Sequence, residues 1–269
     1  MDNRWNYGHI GDLRCEVHIH AKDMDVTGGR IKKEDIDDLK KYPDIKSVVI
    51  SGLNQETFEY FIKNYGQQFI VIDFFKNKFV EDWSLLSTLP QLECIRFFHN
   101  QRITKFWDMS HNMSLKLLWI EDFTRLHCLD GIETAPHLEY FDIGNAVWDK
   151  AEIDTYQCFR NTNIKYLRFS GKTIIDKDMS FIQDMPKLEV FDFPSNLLSS
   201  EQVAWITGHF PKLQGYCLKP VIEYDDEVLV VGKRKPLIKK IGNEKRINQY
   251  INKFKEYEQK YKNVNFTDV

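Results

Sequence analysis

Cysteine is scarce and badly spaced for chemistry. The five residues at positions 15, 94, 128, 158 and 217 include no Cys-x-x-Cys pair. An odd, scattered set supplies neither a disulfide framework nor zinc-finger ligand spacing, and it fits reduced thiols in a cytosol. Long apolar runs are missing too: no stretch approaches the roughly 18 residues a membrane helix needs. The opening MDNRWNYGHIGDLRC has neither a basic start followed by an apolar run nor a small-residue cleavage site, so no export signal is read and a cytoplasmic location is expected. A phosphate-binding loop is absent. SGKT at 170 to 173 matches the end of one, but Tyr166 stands where that loop needs its first glycine.

What is present is a globular composition, 269 residues at 42% apolar, enough for one elongated or two compact domains. The net charge of −3 hides an asymmetry. Residues 233 to 262 hold eleven Lys and Arg against three Glu, a surplus of eight positive charges that leaves the rest of the chain at −11. A basic tail follows an acidic body.

Sliding the chain against itself exposes a repeat. PKLEVFDF (186 to 193) returns as PKLQGYCL (211 to 218). Apolar residues at relative positions 1, 4 and 6 recur in segments starting at 45, 69, 92, 115, 138, 164, 188 and 213, spaced 23 to 26 residues apart. A proline stands two residues before the start at Pro43, Pro90, Pro136, Pro186 and Pro211. Alternate strand residues point to opposite faces, so positions 4 and 6 share an inner side while 3 and 5 point outward. About three side chains per repeat are buried only when a neighbour covers them, so no repeat is stable alone.

The pattern L-x-x-L-x-L, with substitutions, makes residues 45 to 218 resemble the leucine-rich repeat family. The resemblance implies an α/β solenoid: a curved parallel β-sheet, a helical or irregular convex side, and terminal caps. It also implies an asparagine in each turn, three residues after the last strand position, bonding backbone groups. Asn77, Asn100 and Asn196 fit that place, whereas Leu53, Phe123, Ala146 and Lys172 do not, so irregular turns are expected.

Helical spacing marks two return segments, 54 to 66 and 199 to 210, the second with Ser199 or Ser200 as N-cap. Three domains are read: an N-terminal cap over 1 to 44, with strand-like LRCEVHIH and a short amphipathic helix at 32 to 43; about eight repeats over 45 to 220; and a C-terminal cap over 221 to 269. That last cap comprises two strands around Asp225, Asp226 and Glu227, then a helix striped by Ile247, Tyr250, Ile251, Phe254, Tyr257 and Tyr261.

Catalytic candidates are thin. His18 and His20, with Asp23 and Asp25 nearby, have the His-x-His spacing some metal hydrolases use, but a catalytic zinc needs about three protein ligands. Cys15 lacks an orienting group and reads as a buried or idle thiol. GKRKP (232 to 236) and KFKEYEQKYK (253 to 262) would suit a phosphate backbone, yet their aromatics fall on the apolar stripe of a helix. No catalytic residue, metal ligand or cofactor is assigned.

The outward sheet face remains. One column reads Val49, Asp73, Arg96, Trp119, Asp142, Arg168, Asp192, Cys217, and its neighbour Ser47, Val71, Cys94, Leu117, Tyr140, Tyr166, Val190, Gly215. Phe75 and Phe98 stand two residues beyond the first column. Aromatics interleaved with Arg and Asp have the composition of a protein-binding hot spot. Opposite charges on adjacent strands would also simply neutralise each other, as Glu93, Lys116, Glu139, Lys165 and Glu189 do by alternating in sign. The expectation is a non-catalytic, monomeric binding scaffold. Asp73, Phe75, Arg96, Phe98, Trp119, Tyr140, Asp142, Tyr166, Arg168 and Asp192 are its partner-binding residues, and Trp119 is its exposed centre. An adaptor, an inhibitor and an immunity-type protein are all compatible. Abundant Lys, Asn and Ile point to a bacterial source. Nucleic-acid binding by the tail and metal-dependent hydrolysis by His18 and His20 are the alternatives.

Overall fold

A computed structural model describes residues 14–21, 29–144, 152–170, 175–176, 178–233 and 237–269. Asp23, Asp25, Ala146, Lys172 and most of SGKT lie outside the described residues.

Among these residues, eight strands form one sheet in chain order: β1 (Val17–Ile19), β2 (Ser47–Ser51), β3 (Val71–Phe75), β4 (Cys94–Asn100), β5 (Leu117–Phe123), β6 (Tyr140–Gly144), β7 (Tyr166–Ser170) and β8 (Val190–Asp192). Every pairing is parallel. The register is that of the sequence repeat. Ile72, Ile95, Leu118, Phe141, Leu167 and Phe191 are successive partners, as are Phe74, Phe97, Ile120, Ile143 and Phe169. All eleven are buried, and Phe193 extends the second row at 5% exposure.

Two expectations change at the ends. LRCEVHIH contributes β1 to the same parallel sheet, Val17 opposite Val48. The repeat at 213 forms no strand; a single bridge joins Gln214 to Val190. Gly215 accounts for this, because a Cβ there would stand 2.2 Å from the Phe191 carbonyl oxygen. The backbone then turns, Leu218 N–H donating to the Gly215 carbonyl and Tyr216 N–H to Asp192 Oδ1.

The return segments follow local chemistry. The helix at 32 to 43 is short, α1 (Lys33–Ile36) running into a 3-10 turn. Helix α2 (Gln55–Tyr65) starts at Asn54, whose side chain accepts from Thr57 N–H, and α3 (Ser200–His209) starts at Ser199, which accepts from Gln202 N–H. The intervening returns over 84–88, 132–134, 157–159 and 180–184 are short 3-10 turns. Their buried Leu86, Ile132 and Ile182 share the layer behind the sheet with aromatic rings. Phe97 stacks on Phe74 at 5.2 Å and meets Trp83 at 4.8 Å and Phe123 at 5.4 Å; farther along, Tyr156 stacks on Phe169 at 4.0 Å.

Two asparagines hold the turns. Asn77 donates to the Ile50 carbonyl and accepts from Leu53 N–H, while Asn100 donates to the Asn77 and Val80 carbonyls and accepts from Arg102 and Ile103 N–H. Asn196, by contrast, is exposed.

Beyond the stack, β9 (Val221–Glu223), β10 (Glu227–Val230) and β11 (Leu237–Lys239) form an antiparallel sheet, one strand more than the sequence predicts. Helix α4 (Glu244–Lys260) lies against α3. Its apolar stripe faces inward as expected, Phe254 buried and Tyr257 and Tyr261 packed on the core, with most of its lysines and its arginine exposed.

Candidate interaction face

Residues 73, 96, 119, 142, 168 and 192 lie on the sheet face opposite the main core, at equivalent positions in consecutive strands. Their charges are largely spent on each other. Arg96 lies 3.6 Å from Asp73, and Arg168 donates to Asp142 Oδ2 at 3.3 Å. Asp192 accepts the Tyr166 hydroxyl at 3.1 Å. Parallel pairing brings these partners about 4.8 Å apart along the sheet, so neutralisation follows directly from the repeat. Glu139 and Lys165 pair likewise at 3.1 Å, supporting a structural role for that alternating column.

The rings are held by the same contacts. The Arg96 guanidinium sits 4.5 Å from the centre of the Trp119 ring. Pinned by Asp73, it fixes the indole before any partner arrives. Phe75 and Phe98 stack at 5.2 Å, both half-buried. Trp119 is also half-buried, less open than its outward position suggested.

Tyr140 requires a correction. It is 2% exposed, in a small second cluster with Val71, Cys94 and Leu117, and it stacks on Tyr166 at 4.5 Å. In this column adjacent side chains are close enough to pack on one another, so the ring is structural in the free chain and a partner reaches it only at its edge. Asp142 is equally enclosed at 2% exposure, and Asp73 at 8%. Cys15 packs on this cluster, and burial followed by the Asp73 charge pushes its thiol up to about 12, so it is a poor nucleophile.

Asp142 titrates unusually. Burial raises its carboxyl to about 7 against the pull of Arg168, and among the described residues its Oδ1 has no hydrogen-bond partner. The Tyr140 hydroxyl, Arg168 and Glu121 face it, and burial raises Glu121 as well. Since the unfolded value is about 3.9, the folded chain holds this proton between about pH 4 and 7 where the unfolded chain does not. The contribution to stability is therefore full below about pH 4 and is lost as pH rises towards 7. Calorimetry should show stability falling from pH 5 to 7, with up to about 1.4 kcal/mol per pH unit from this group. Asp142→Asn should remove that part of the slope. An unchanged slope would mean that the carboxylate is ionised throughout.

The other candidates do not assemble. His18 and His20 are exposed, and among the described residues no group of three or more His, Cys, Asp or Glu could hold a metal ion. No helix among these residues is long and apolar enough to cross a membrane.

Sequence reasoning missed two features. Asn112, fully buried, accepts from Trp107 Nε1 and donates to the Leu86 and Leu89 carbonyls, outside any repeated position. Arg30, Lys78 and Arg102 gather round Phe79, 49 residues from the first of them, a meeting that only the topology produces.

No family model matches the chain, and no curated protein matches it. Among solved structures, the crystal structure of a TLR13–ssRNA13 complex is similar, with a TM-score of 0.50 and 17% sequence identity over 61% of this chain and 24% of that one. The chain thus spans about a quarter of the length of that leucine-rich repeat protein. At this identity the likeness is one of fold: the eight-stranded parallel sheet with few helices is leucine-rich-repeat-like.

Proposed function

We propose that this chain is a non-catalytic scaffold that binds a protein partner on the concave face of a leucine-rich repeat solenoid. The segment ahead of residue 45 supplies the first strand of the stack, β1, and the segment from 221 covers its far end. The observation that carries the reading is Trp119, half-exposed at mid-sheet, with Arg96 fixed over its ring and the Phe75–Phe98 pair on the same face. Rigid aromatic groups bury area at little entropic cost, which is the character of a hot spot. The seven spacings between eight strands span about 34 Å, enough for an ordinary interface of roughly 800 Å² per partner. A bacterial, cytoplasmic, monomeric adaptor, inhibitor or immunity-type protein fits this surface.

Trp119→Ala tests it. Captured from an extract of the source cells, the partner should bind the variant about thirty-fold more weakly, while the variant still melts cooperatively. Undiminished capture would move the site to another face. The second reading, nucleic-acid binding through the tail, has the exposed lysines of α4 in its favour; there, association would fall steeply with salt and survive Trp119→Ala.

A further inference from the structure

The guanidinium carbons of Arg30 and Arg102 and the ammonium of Lys78 stand 5.7, 5.8 and 5.5 Å from the centre of the Phe79 ring. The three come from segments following β1, β3 and β4, so the parallel topology gathers them at one edge of the sheet, the end where strands finish. Both arginines are exposed, Lys78 and Phe79 are half-buried, and none of the three cations is in an ion pair among the described residues. On the outer sheet face the charges pair with opposite partners; here three of one sign surround one ring.

More positive potential converges on the same place. Phe79 is bridged to Asn54, the N-cap of α2, so the positive end of an 11-residue helix adjoins it. Lys76 lies 5.1 Å from the Phe75 ring centre. Burial first, then the charges of Lys78 and Lys76, hold the His99 imidazole below its usual range against the opposing pull of Asp122. Like charges crowded together cost folding energy, and an anion seated among them returns that energy as affinity.

We infer that Arg30, Lys78 and Arg102 around Phe79 form a docking site for an acidic peptide segment, one presenting two or more closely spaced carboxylates. Guanidinium forks donate bidentately to carboxylates, and the ring offers apolar contact to the methylenes between them. The compactness of the cluster favours a peptide over a nucleic acid. Gathered on one ring, it engages one or two anionic groups, and outside the tail the chain carries −11, which opposes a long polyanion laid across it. The site is separate from Trp119, so it stands or falls independently of the proposed hot spot.

Fluorescein-labelled octaglutamate, titrated into the full chain and followed by anisotropy, is the probe, with octaglutamine and a thymidine octanucleotide as comparators. Octaglutamate should bind at 50 mM salt and several-fold more weakly at 200 mM, and octaglutamine should not bind. Arg30→Gln/Lys78→Gln/Arg102→Gln should weaken octaglutamate at least ten-fold with an unchanged circular dichroism spectrum, whereas Trp119→Ala should leave it unaltered. If the triple variant unfolds, Arg102→Gln alone should still give a two- to five-fold loss. Three results would overturn the inference: no binding by the native chain, full binding by the substituted chain (which places it on the basic tail), or a thymidine octanucleotide held more tightly through the same three residues.

Discussion

Removing residues 239 to 269 should leave a chain that aggregates or melts at least about 10 °C lower. Trp205 of α3 is fully buried, and its Nε1 donates to the Val264 carbonyl at 2.6 Å. Phe266 meets its ring at 5.2 Å, Phe254 enters the same core, and Thr207 donates to Glu258 at 2.8 Å. The two helices nearly touch at Gly208, where a Cβ would stand 3.4 Å from the Glu258 carbonyl oxygen. Losing the cover over Trp205 together with two buried phenylalanines forfeits roughly 1.5 to 3 kcal/mol for each ring. That total is comparable with the 5 to 15 kcal/mol that holds a typical domain together. Light scattering and a melting curve check this. A monomeric truncation with an unchanged melting temperature would make the tail an appendage and strengthen the nucleic-acid reading.

Phe97→Ala should cost about 3 to 5 kcal/mol, read from urea unfolding, because the ring joins Phe74, Trp83, Trp107 and Phe123 into one aromatic layer that no small shift can close. Phe98→Ala, one residue along the same strand, should cost about 1 kcal/mol or less. Its half-buried ring lies on the other face, against Phe75. Adjacent phenylalanines with such unequal effects are the signature of a strand covered on one side. Equal losses would mean that the faces are assigned wrongly.

The sheet was legible because burial in a stack repeats itself: the rows of Ile72 and Phe74 recur at fixed intervals, and no other arrangement covers them all. The ends were less legible because repetition stops there. Gly215 turns the chain through a close backbone approach that residue spacing does not encode, and β11 pairs with β10 without a marked turn. On the outer face, the sequence showed which residues share a column but not how deeply each sinks. Tyr140 and Trp119 stand in neighbouring columns of adjacent strands. One is covered by Leu117 and Tyr166, while the other remains half-open. Pairing within the face was legible as alternating sign, and the Asp73–Arg96 and Asp142–Arg168 contacts follow it. The cluster at Phe79 was not, since Arg30 belongs to no repeat.

A photo-crosslinking amino acid placed in turn at positions 119, 60 and 250 tests most directly whether the outer sheet face is the docking surface. In living source cells, a benzoylphenylalanine at 119 should give one dominant protein adduct on irradiation. The same group in place of Tyr60 on α2 or Tyr250 on α4 should give little. Adducts from 60 or 250 with none from 119 would contradict the account.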